Sequence, residues 1–150
     1  MACKASVSVS LCTGIYAGVE CVYNFKQGDR TEIEIYFKDT DHTDLNLLDY
    51  YLLELALSDD RGEILTTVET TIPESTVQVT SDFLDLDLVE ESTGIHKITL
   101  LLKPTFTSYL LAGALYTEIR LTANYTDKTS TMGCLKIAQI SRSEMNYNNI

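Results

Sequence analysis

An alternation of apolar and polar residues with a period of two runs through most of this chain. Ile33, Ile35 and Phe37 alternate with Glu32, Glu34 and Tyr36, and Val77 and Val79 with Thr76, Gln78 and Thr80. Leu84, Leu86 and Leu88 alternate with Asp85 and Asp87, and Ile119, Leu121 and Ala123 with Glu118, Arg120 and Thr122. Successive side chains of a strand point to opposite faces, so this pattern puts one face in a core and the other in water. A chain built almost wholly of such segments folds as a β-sandwich or barrel.

The remaining segments fit that frame. Residues 5–12 alternate through Val7, Val9 and Leu11 and predict a strand. Residues 15–25 predict a second strand, with Gly18 as a bulge. Lys26-Gln27-Gly28-Asp29 is a turn before the strand at 31–38. Residues 50–58 are nearly all apolar, but Asp59-Asp60-Arg61-Gly62 follows as a hairpin turn, which makes 50–58 and 63–71 a strand pair. Further strands are expected at 75–80, 82–89, 95–102, 114–124 and 131–141. Pro104 ends the strand before it. One short helix is expected near residues 105–112, with a threonine cap and Gly113 at its end. The sum is an all-β, antiparallel, immunoglobulin-like sandwich of roughly seven to nine strands. Residues 1–142 form one domain, and 143–150 form a tail that is extended or ordered only by a partner.

The net charge of −11, from 22 acidic and 11 basic side chains, opposes binding to nucleic acid or to an anionic membrane, both of which need a basic surface. No apolar run approaches the ~20 residues that span a bilayer, and the first residues read as a strand rather than a signal peptide. The expected setting is synthesis in a cytoplasm. Cys3, Cys12, Cys21 and Cys134 match no common zinc spacing and are expected as free thiols, with no cofactor and no metal.

Several residues carry potential chemistry, and each has a plainer use. Asp39, Asp41 and Asp44 loosely follow a calcium loop, but the glycine and the closing glutamate are missing, which favours a solvated loop. His42 and His96 are the two histidines, and no serine or cysteine stands in a nucleophile-elbow context beside them. Asp85 and Asp87 share one strand face and could form an acidic pair, but they fit the wet side of an amphipathic strand. Asn124-Tyr125-Thr126 matches a glycosylation sequon. Tyr50, Tyr51, Tyr109, Tyr116 and Tyr125 could line a sugar platform, or serve core and interface packing.

Together, several segments carry a resemblance. Phe25-Lys26-Gln27-Gly28-Asp29 leads into an alternating strand and then an Asp-rich loop ending at Asp44-Leu45. Asp60-Arg61-Gly62-Glu63 makes a central hairpin, and Leu110 to Ile119 runs a short helix into a strand. This order resembles the immunoglobulin-like sandwich of phage virion proteins, above all the amino-terminal domain of baseplate upper proteins and related tail and head-fibre attachment domains. It spans about residues 24–141; the strands before it and one residue after Gly113 are additional to the pattern. The resemblance implies a non-enzymatic virion component, synthesised in the host cytoplasm, whose partners are other virion proteins and copies of itself. The uncharged strand at 5–12 and the tail are expected to contact those partners through Val7, Val9, Leu11, Tyr147 and Ile150. The alternatives are a carbohydrate-binding module using exposed tyrosines and a small hydrolase using its acidic pair.

Overall fold

The computed structural model describes residues 6–10, 17–19, 23–38, 46–72, 78–123, 129–131 and 135–143. In chain order its strands are β1 (Ser6–Ser10), β2 (Ala17–Val19), β3 (Tyr23–Lys26), β4 (Thr31–Lys38), β5 (Tyr50–Ser58) and β6 (Ile64–Thr71). There follow β7 (Gln78–Thr80), β8 (Leu84–Glu91), β9 (Gly94–Leu102), β10 (Gly113–Ala123), β11 (Thr129–Thr131) and β12 (Leu135–Ser141). They form two sheets, one in the order β2-β1-β4-β9-β8-β7 and the other β3-β12-β10-β5-β6, with β11 on β10. The protein is all-β, as the alternation predicts.

Parity builds the core. Register sets Ile33 opposite Leu100 and Ile35 opposite Ile98, and on the other side of β9 it sets Leu86 opposite Leu100 and Leu88 opposite Ile98. In the second sheet Leu53, Leu55 and Leu57 face Leu121, Ile119 and Thr117. These inner faces meet in one cluster, closed at its ends by Leu47, Phe106 and Leu110. Each fully buried Leu or Ile contributes about 1.5–3 kcal/mol relative to exposure. A one-residue slip of any strand would turn its whole apolar set to water, which is why register is so well specified here.

The structure departs from the sequence expectations in six places. There are twelve strands among the described residues rather than seven to nine. The sheets are not purely antiparallel, because β1 runs parallel to β4 and β3 parallel to β12. The single strand expected at 15–25 is two, β2 and β3, in different sheets. Gly18 pairs regularly opposite Ser8, so it is no bulge. The helix expected at 105–112 is α1, Pro104–Thr107. Pro104 does hold its first position, but Lys103 caps it without a side-chain hydrogen bond, and Thr105 donates instead to the carbonyl of Asp82. After one turn the bonds tighten, Tyr109 N donating to Phe106 O at 3.1 Å, and Leu110 drops into the core. Burial of Phe106 and Leu110 sets this bend, and helix propensity over so short a segment is too weak to resist it.

β1 also differs from the open strand expected at 5–12. It pairs with β2 on one side and β4 on the other, so Val7 and Val9 lie on a strand whose two backbone edges are used within the chain. Leu11, Tyr147 and Ile150 lie outside the described residues.

Candidate functional site

The outer face of the second sheet carries a concavity built from three neighbouring strands. β6, β5 and β10 lie side by side, and their outward positions bring Glu69 opposite Glu54 and Glu54 opposite Arg120. With Glu118, Ala56 and Thr67 they line a shallow trough of about 370 Å³. Its charge is three carboxylates against one guanidinium. Arg120 Nη1 stands 3.9 Å from Glu54 Oε1, a surface pair of small energetic weight. Like charges directly opposite on neighbouring strands disfavour pairing, so Arg120 beside Glu54 offsets the contact between Glu54 and Glu69. No group of three or more metal-ligating side chains comes together among the described residues.

A second concavity lies at one end of the sandwich, between the β5–β6 hairpin and the segment after α1. Asp59, Arg61, Glu63, Leu65, Tyr109 and Leu111 are among its walls. Asp59 organises the hairpin: Oδ1 accepts from Arg61 N at 2.9 Å and Glu63 N at 3.0 Å, and Oδ2 pairs with Arg61 Nη2 at 3.3 Å. Desolvation pushes the Asp59 carboxyl up, but the two N–H donors and the guanidinium outweigh it and hold it below its ordinary 3.8. Gly62 at φ 80° completes the turn. Tyr109 and Leu111 are exposed beside it.

The candidates singled out from the sequence are dispersed. His96 is buried on β9, its Nε2 2.8 Å from Thr93 Oγ1. Asp85 faces outward on the first sheet, as its parity requires, and pairs with Lys103 Nζ at 3.0 Å. Asp87 is two residues along the same face. Tyr51 is the second residue of β5 while Tyr109 neighbours the residues that follow its end, so roughly 24 Å of strand separates them. Asp39, Asp41, His42, Asp44, Tyr125 and all four cysteines lie outside the described residues. The trough residues escaped the sequence analysis because they come from three strands far apart in sequence. Their only signal was outward parity on each strand, which does not say which strands become neighbours.

Neither a protein-family model nor a curated protein matches the sequence. Among solved structures, the chain is similar to the N-terminal domain of phage TP901-1 ORF48, with a TM-score of 0.51 and 6% identity. The match covers 92% of this chain and 98% of that one. At that identity the likeness establishes a shared fold. Among the described residues no helix is long and apolar enough to cross a membrane.

Proposed function

We propose that this protein is a non-enzymatic structural component of a tailed-phage virion and works through contacts with other virion proteins. The observation that carries this is the extent of the fold match. An entire domain of a phage protein, 98% of it, superposes on 92% of this chain, so the likeness is to a whole unit rather than to a common hairpin. It agrees with the resemblance borne by the Gly28-Asp29 turn and the Leu110–Ile119 segment. The engagement of Asp85 by Lys103 and of His96 by Thr93 further supports a binding role over a catalytic one.

The same proposal includes an immunoglobulin-like class for the sandwich. With β3 as the leading strand, β4, β9 and β8 stand in the order B-E-D, and β12, β10, β5 and β6 in the order G-F-C-C′. β3 beside β12 and the two strands β1 and β2 are then extensions of that frame.

Mass spectrometry of density-purified particles tests the assignment. The protein is expected in them at a fixed copy number, and particles produced without it should fail in assembly or attachment. Fully infectious particles lacking the protein would overturn it.

A further inference from the structure

We propose that the free edge of β6 pairs antiparallel with β6 of a second copy, joining two domains through one continuous sheet. This names a surface and an occupant within the assembly role proposed above, and rests on that role only for its purpose.

The four ends of the two sheets are unequal. Among the described residues β2 and β7 have three residues and β3 has four, whereas β6 has eight. Short length is one of the ordinary protections of an edge; others are lysine, proline, bulges and inward charge. β6, Ile-Leu-Thr-Thr-Val-Glu-Thr-Thr, has no lysine, no proline, no glycine and one carboxylate, and its one irregularity, at Leu65, lies near its start and leaves Thr66–Thr71 regular. It is rich in β-branched residues and spans roughly 27 Å. In the variable-type immunoglobulin sandwich the sheet continues past C′ with another strand. Among the described residues the next strand, β7, belongs to the other sheet, and β6 ends its own.

The edge is supplied with hydrogen-bonding groups. Ile72 N donates to Tyr51 O at 2.8 Å. Antiparallel alternation therefore turns the N–H and C=O of Thr67 and Glu69 away from β5. Thr71 points the same way, its carbonyl also accepting the Thr70 hydroxyl at 3.1 Å.

Charge selects the occupant and the register. A two-fold axis at Val68 sets Thr67 opposite Glu69 of the second copy and Glu69 opposite its Thr67. These are outward-pointing groups on both sides, so they make hydrogen-bonded pairs, and each carboxylate meets a hydroxyl donor. Moving the axis to Glu69 would set the two carboxylates against each other, which is unfavourable. A seam of this length falls short of the ~1,200 Å² that stable complexes bury, so the pairing is weak and concentration-dependent in solution.

Sedimentation equilibrium over a concentration series tests the seam. The wild-type chain should show a monomer–dimer equilibrium. Thr67→Glu, which faces Glu69 of the other copy twice, should weaken it by about tenfold, and Thr67→Lys, which offers two ion pairs there, should strengthen it by several-fold. Both shifts should shrink at high salt. Thr67 is exposed, and equal melting temperatures of the monomeric variants would confirm that the fold is retained. A strict monomer at every concentration, or a dimer whose strength moves the same way or not at all in both variants, would overturn the seam. A monomeric protein still present in particles sinks the seam alone. Opposite shifts in a protein absent from particles would sink the virion assignment alone.

Discussion

At the residue scale, a few side chains decide where loops attach to the sandwich. Asn46 Oδ1 accepts from Leu48 N and from Ile95 N, both at 3.1 Å, so one oxygen caps a 3-10 turn and pins it to the start of β9. Gly94 makes room for it: φ is +129°, and a Cβ there would run into the Asn46 amide. Gly94→Ala is therefore expected to cost about 1–3 kcal/mol, read as a lower urea midpoint with unchanged slope. An unaltered midpoint would show that the turn yields freely. On the outer face of the first sheet, Glu34 Oε2 accepts from Tyr36 Oη at 2.7 Å and from Lys97 Nζ at 3.1 Å, and Lys97 lies 5.3 Å from the Tyr36 ring centroid. The hydrogen bond to Glu34, then burial, raises Tyr36 above its ordinary 10.0. Burial pulls Lys97 down, but the hydrogen bond and charge of Glu34 more than reverse it, leaving it above 10.5. Both groups hold protons more tightly folded than unfolded. Their contribution is complete below the unfolded values and is lost as pH rises through the folded ones. Denaturant stability measured against pH should fall from about pH 10 upward, and Glu34→Gln should flatten that fall.

At the element scale, the β3–β4 turn does more than reverse the chain. Gln27 is buried; its Nε2 donates to Leu110 O at 2.9 Å, and its Oε1 accepts from Ser143 N at 3.0 Å. Thr107 Oγ1 donates to Asp29 O at 2.7 Å. One turn thus fastens α1, the segment behind it and the end of β12. Gln27→Ala would remove both of these hydrogen bonds at a buried position, at a cost of about 1–3 kcal/mol. Hydrogen exchange should speed up at Ser143, with the β8–β9 pair unaffected; uniform acceleration would contradict a local staple. The Gly28-Asp29 turn was legible in the sequence as punctuation, and Gly28 at φ 88° fits it. The burial of Gln27 was not legible, since its partners lie 83 and 116 positions away. α1 shows the converse. The proline ahead of a helix was legible, but it is the first helical residue and Lys103, not a threonine, holds the cap, while the stop came from the core's need for Phe106 and Leu110.

At the scale of the whole molecule, one apolar layer between two sheets carries the fold, and the outer surfaces are left for contact. Local pattern alone determined that the chain is all-β, which residues are inward on β4, β8 and the body of β10, and, through the Asp59–Gly62 cluster, that a hairpin turns there. Those are properties of sequence neighbours, and a period of two is local information. Tertiary structure alone decided that β1 is paired on both sides, that β2 and β3 part to different sheets, and that β6 ends its sheet among the described residues. It also decided that Glu54, Glu69, Glu118 and Arg120 share one trough. Strand order is settled by which apolar faces bury one another across a hundred residues, and alternation is the same whatever neighbour a strand acquires.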